Sequence, residues 1–327
     1  MVGSRTIGIY GSLQRAYSRG LRVSEYYARP DMSIAKRVSE EGIKYVPVVW
    51  VPEAQNLSQG VVNVFGERRL FAFSNSGCIS NPGIRDKLLS TIEDVATKLE
   101  VDSVILDAIR FPSPHDGLTL FSCFCNYCQK VMKDLGIDPE KLKLGLRKLI
   151  RSLHRYPYVE LNSLESLYTW IRVRQHIVRE LLELIREKSN HYGLKLWAAI
   201  FPPSLAWLVG QNYTFMKDLL DEVHVMLYHR CGGAACLNHE VYSLAKLISR
   251  DLRDPNTLRV LRMLTGLDIE DLEHLEYEGL GSEVLVREFI NAKNILGGKA
   301  VPVFQLSKEG LEMTRKLRAL VKVAYLT

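Results

Sequence analysis

Val101-Asp-Ser-Val-Ile-Leu-Asp107-Ala-Ile-Arg110-Phe-Pro112 is a short apolar run that ends in a carboxylate and is followed by a basic residue, an aromatic and a proline. Aliphatic residues without a polar alternation mark a strand buried on both faces, as in a parallel sheet covered by helices. A strand over Ser103–Asp107 places the acid at its C-terminal end, which is where such sheets build their sites.

Similar runs recur on both sides of this one. The pattern predicts strands at Thr6–Tyr10, Lys44–Trp50, Leu70–Asn75, Ser103–Asp107, Leu194–Ile200, Glu222–Tyr228, Leu258–Leu264 and Val301–Gln305. Helical spacing separates them. Asn81-Pro82 opens one helix, with Ile84, Leu88, Ile92, Val95 and Leu99 along a single face. Leu164 to Ile185 forms a longer stripe, Val284 to Leu296 precedes the last strand, and Leu311 to Val323 reads as a closing helix. Eight strands alternating with helices predict an α/β fold, a (β/α)8 barrel occupying residues 1–327 as one domain. The connection from Arg110 to Gly193 is far longer than one helix needs, so residues 110–193 form an insertion after strand 4.

Composition agrees with one large core: 47% of the 327 residues are hydrophobic and 24% charged. The net charge of +6 leaves 43 basic residues largely offset by 37 acidic ones, with no arginine-rich tract interleaved with aromatics, so no nucleic-acid partner is expected. No run reaches the length of a membrane span, and the N-terminus has no signal-peptide pattern. With six cysteines and no such signal, reduced thiols or metal ligands are expected in a cytoplasmic protein. The sequence does not fix the oligomeric state.

Phe121-Ser-Cys-Phe-Cys-Asn-Tyr-Cys128 aims three sulfurs from one short turn, which suits a tetrahedral metal lacking one ligand. Cys78 follows the third expected strand, and the cluster follows the fourth, so adjacent strand ends bring the four together. Cys78, Cys123, Cys125 and Cys128 are therefore the expected ligands of a structural zinc, although four thiolates also serve an iron–sulfur cluster. Tyr228-His-Arg-Cys-Gly-Gly-Ala-Ala-Cys-Leu-Asn-His239 matches no zinc spacing. Cys231 and Cys236 read as incidental members of a Gly-Gly loop, with a disulfide or a second metal as the alternatives.

Asp107 is the leading catalytic candidate, with Arg110 holding it ionised or binding a substrate oxygen. Acid–base hydrolysis by carboxyl groups ordinarily takes two of them. Glu53, just past Trp50, is the expected second, and Asp268 and Glu270 are further candidates. Trp50, Trp197 and Tyr228, near strand ends, are expected to offer ring faces to a substrate in the same mouth. His229 adds a titratable group to the same mouth.

Two motifs carry a family resemblance. Ser76-Gly-Cys-Ile-Ser-Asn-Pro-Gly-Ile-Arg85 followed by Cys123-Phe-Cys-Asn-Tyr-Cys128 resembles the four-cysteine zinc pattern of the family forty-two β-galactosidases. Leu106-Asp-Ala-Ile-Arg-Phe-Pro112 is similar to the strand-end motif of the hypothetical glycosyl hydrolase barrels. The resemblance implies a glycoside-hydrolase-like barrel, a carbohydrate substrate and a structural zinc. The galactosidase mechanism does not transfer, because that family carries Asn-Glu on its fourth strand and a nucleophilic Glu on its seventh. Here those places hold Asp107 and Leu264-Thr-Gly266. The expected function is a glycoside hydrolase, and the alternative is a sugar-binding or scaffold barrel that has lost one carboxylate.

Overall fold

The computed structural model describes residues 5–153, 161–249, 251–317 and 322–327. Eight parallel strands close into a barrel: β1 (Thr6–Tyr10), β2 (Glu25–Ala28), β3 (Lys44–Trp50), β4 (Ser103–Asp107), β5 (Lys195–Ile200), β6 (Glu222–Leu227), β7 (Ala300–Gln305) and β8 (Lys322–Leu326). Each strand pairs with its neighbours in sequence order, and β8 returns to β1 with Thr6 opposite Lys322 and Tyr10 opposite Leu326. Among the described residues no helix is long and apolar enough to cross a membrane.

Six of the expected strands belong to this barrel, and two do not. Residues 70–75 form a loop in which Ala72, Phe73 and Ser74 all have positive φ, a conformation that no strand tolerates. Phe71 and Ser76 exchange backbone hydrogen bonds across its neck. Leu258–Leu264 lies within a helix, Pro255–Thr265. Asp254 caps its start, Pro255 takes the first turn, and Gly266 closes it in the left-handed region. The barrel is completed instead by β2 and β8. The closing helix runs over Lys308–Lys316; residues 318–321 of its expected course lie outside the described residues, and from Lys322 the chain is strand.

The barrel interior is aromatic above and ionic below. Tyr10, Tyr27, Trp197 and His224 meet with ring centroids 4.6–6.5 Å apart. Gly8 permits this packing, because a Cβ there would sit 2.1 Å from the Tyr27 hydroxyl. Glu25, Lys44, Glu222 and Lys322 begin their strands and form the floor. Lys322 bridges Glu25 at 2.7 Å and Glu222 at 2.5 Å, while Lys44 holds Asp102 at 2.7 Å. Pairing offsets the desolvation of the Lys322, Glu25 and Glu222 charges, whose side chains are 12–18% exposed.

Two connections are elaborated. Between β3 and β4 lie a short hairpin (Val61–Val62 with Arg68–Arg69), the loop carrying Phe73, and the helix Pro82–Lys98. Between β4 and β5 lie a 3-10 segment (Pro114–Leu120) and the helices Asn126–Asp134, Pro139–Leu153 and Leu161–His191. The longest helix buries Trp170, Arg174, Val178, Leu181 and Ile185, so it is held by one apolar face rather than by propensity alone.

Candidate functional site

The two connections meet at the cysteines. The hairpin strand pairs with the segment before the cluster: Phe124 donates its amide to the Val62 carbonyl at 2.7 Å, and Val64 donates to the Phe121 carbonyl at 3.0 Å. Cys78 is placed by its amide, which reaches the Gln59 carbonyl at 2.8 Å, and Cys125 sits at the N-terminal cap of Asn126–Asp134. The sulfurs of Cys78, Cys123, Cys125 and Cys128 all lie within 4.8 Å of one another, and all four residues are buried. Cys78 is 3.4 Å from Cys128 and 3.6 Å from Cys125. A tetrahedral zinc with Zn–S bonds of about 2.3 Å needs sulfurs roughly 3.8 Å apart, so the donor set and its spacing fit that ion.

The barrel mouth is built from strand ends. Asp107 closes β4 opposite Trp50 of β3. Its Oδ1 accepts the amide of Ala108 at 2.8 Å, and Ala108 takes a positive φ to make that turn. Burial pushes the Asp107 carboxyl above the usual carboxylate range; the Ala108 amide and the Arg110 charge offset only part of this. Burial also pushes up the phenols of Tyr10 and Tyr228, and the Asp107 charge adds to both, so the three groups share one desolvated neighbourhood. Tyr10 is further fixed by His224, whose Nδ1 lies 2.7 Å from the phenol oxygen.

Trp50 donates its indole N–H to Ser76 Oγ at 3.0 Å and packs against Phe73, the exposed tip of the β3–β4 loop. Phe73 in turn reaches the loop after β6, where a Cβ on Gly233 would stand 3.7 Å from its ring. That second loop is closed by a disulfide between Cys231 and Cys236 (Cα–Cα 5.3 Å), which replaces the expectation of incidental cysteines.

Arg110 is buried, 3% exposed, among aromatic rings. Its guanidinium stacks on Phe71 and Phe201 and donates to the Phe111 carbonyl. It forms no ion pair among the described residues. Glu53 is drawn outward to Lys87 of the helix Pro82–Lys98, 2.8 Å away, so the structure does not bring it to Asp107. Trp197 does not line the mouth either: it lies deep in the barrel, stacked under His224, with Lys322 at 3.9 Å and Lys44 at 5.1 Å from its ring. His229 lies two residues past the end of β6, outside the strand. Its side chain enters a separate cavity of about 480 Å³ with Glu309 and Met313, where burial holds the imidazole below its ordinary range. Asp268 and Glu270 flank the end of the helix that replaced their expected strand.

One carboxylate near the mouth was not anticipated. Glu240, in the first turn of Leu237–Ile248, is fully buried and accepts hydrogen bonds from Ser113 Oγ (2.8 Å), the His115 amide (2.9 Å) and the Ala235 amide (2.8 Å). Burial raises its carboxyl, against the Arg110 charge and these three donors. Its oxygens are consumed in joining the loops after β4 and β6.

No protein-family model matches the chain, and no curated protein sequence does. Among solved structures, the glycoside hydrolase domain of PgaB (BpsB) from Bordetella bronchiseptica superposes with a TM-score of 0.58, covering 98% of this chain and 93% of that one at 11% identity. A chitinase from Chromobacterium violaceum gives 0.44 over 92% and 68% at 8% identity. The Group IV chitinase of Ostrinia furnacalis gives 0.41 over 92% and 66% at 10%. At 11% identity the PgaB likeness is one of fold alone: the chain is a closed, eight-stranded parallel (β/α)8 barrel.

Proposed function

We propose that this chain is a carbohydrate-active hydrolase in which Asp107 acts as the general acid at the barrel mouth. The observation that carries this reading is the setting of Asp107: a carboxyl at the end of β4 with no ion pair among the described residues, desolvated enough that its proton is held above the usual range. A proton donor for a glycosidic oxygen needs that shift. Tyr10 and Tyr228 share its neighbourhood, and Trp50 offers an apolar ring at the strand end beside it. With Glu53 and Glu240 engaged elsewhere, a second carboxylate is not required if the substrate supplies its own nucleophile, as 2-acetamido sugars do.

In the same reading, Cys78, Cys123, Cys125 and Cys128 hold a zinc ion. Four protein ligands leave no open position for water, so the ion would supply folding stability and no chemistry at the mouth. The engagement of Glu53 by Lys87 favours one alternative, a sugar-binding barrel without turnover. A panel of aryl glycosides and oligosaccharides that includes 2-acetamido sugars separates the two. Release of product supports the hydrolase; saturable binding with no product supports the alternative.

A further inference from the structure

Arg174, on the helix Leu161–His191, is 1% exposed. Its guanidinium donates to the carbonyls of Leu120 at 3.1 Å and Pro112 at 2.8 Å, and it stacks over Trp170 (4.3 Å) and Phe111 (4.9 Å). Its Nε has no partner, and among the described residues no carboxylate lies within ion-pairing distance. A buried cation with only neutral partners is among the costliest arrangements in a protein.

The segment it grips leads into the metal cluster. Leu120 is three residues before Cys123, and the neighbouring Trp170 donates its indole N–H to the Ser122 carbonyl at 2.8 Å. Cys123 Sγ itself receives two backbone amides, Val62 and Cys125, each at 3.4 Å. Four thiolates around a dication carry a net charge of −2, whereas four protonated thiols carry none.

We propose that Arg174 is the counter-cation of a metal tetrathiolate at Cys78, Cys123, Cys125 and Cys128, so that its burial is compensated only when the metal is bound. The inference rests on reading the cluster as a zinc site. Burial depresses the basicity of Arg174 and the Arg110 charge adds to this, while the charges of Cys123 and Cys128 oppose it. Asp116 also acts in that sense, but its oxygens are already committed to the Ala72 and Ser113 amides.

Zinc content and chelator competition on the wild type, Arg174→Met, Arg174→Lys and Asp116→Asn test this. Wild type that carries no zinc ends the reading of the site, and this inference with it. If wild type carries zinc, the Met variant should hold it 10- to 100-fold more weakly, as expected for loss of a group supporting the ligands. Lys should recover most of the affinity, and Asp116→Asn should leave it near wild type. A thermal shift caused by Arg174→Met should be large with zinc bound and small or reversed after chelation. Equal affinities for the Met and Lys variants, or an equal thermal shift with and without zinc, would mean that Arg174 only pins the loop and would overturn the proposal. A loss of affinity in Asp116→Asn matching that of Arg174→Met would mean that zinc retention follows the packing of this loop and not the charge of Arg174, and would overturn it as well.

Discussion

The phenol oxygen of Tyr10 lies 2.7 Å from Nδ1 of His224, and Nε2 of the same imidazole lies 2.7 Å from Glu222. The contact joins the mouth of the barrel to its floor, since Glu222 is in turn bridged by Lys322 to Glu25. In the neutral tautomer that donates Nε2–H to the Glu222 carboxylate, Nδ1 accepts from the Tyr10 phenol. Burial alone would raise Glu222, yet His224 and Lys322 together hold it below the usual range.

Tyr10→Phe leaves Nδ1 of a fully buried imidazole without a donor. The expected loss is about 1–3 kcal/mol of unfolding free energy, read by urea denaturation. A variant within about 0.5 kcal/mol of wild type would mean that water or another group takes the place of the phenol.

Asp107 ties the proposed chemistry to stability through pH. Its native carboxyl is raised above the unfolded value of about 3.9, so the folded state binds the proton more tightly. The stabilisation from this group is full below that unfolded value and is lost as pH rises through the native one. Asp107→Asn, which cannot ionise, should therefore gain on wild type across that window and be at least as stable at neutral pH. Denaturation curves at several pH values test this. A variant less stable by the same amount at every pH would make Asp107 a loop anchor.

Glu240 gives the opposite expectation. Its two oxygens accept from three donors, so Glu240→Gln turns an amide N–H toward one of them. About 1–3 kcal/mol of stability should be lost. Thermal unfolding unchanged by this substitution would show that the loops after β4 and β6 do not depend on it.

The metal centre predicts one zinc per chain, with an X-ray absorption edge fitted by four sulfurs at about 2.3 Å. Cys123→Ser should lose the ion and lower the melting temperature. Elemental analysis that finds iron, or no metal, would contradict the assignment.

Much of this was legible in the chain, and the gaps have physical causes. β4 was readable because its apolar residues run unbroken into Asp107, and the cysteine cluster because its spacing is local. β2 escaped notice because it is four residues long and puts Glu25 and Tyr27 into the barrel, where an apolar run is expected. Leu258–Leu264 has a strand-like apolar composition, but Asp254-Pro255 and Gly266 on either side are the local signals of a helix. Alternation shows that Trp197 faces inward, but depth along the barrel depends on strand stagger, which the sequence does not display. Glu240 had no local signal, because two of its three donors, Ser113 and His115, are more than a hundred residues away.

The central claim is that Asp107 transfers a proton to a glycosidic oxygen. The most direct measurement is turnover of a cleavable glycoside by wild type and Asp107→Asn, with binding of the intact sugar measured alongside. The account predicts a fall of at least ~100-fold in turnover, the low end for removing a proton-transfer group, with binding retained through Trp50 and Tyr228. An Asp107→Asn protein that cleaves the same glycoside as fast as wild type would contradict it.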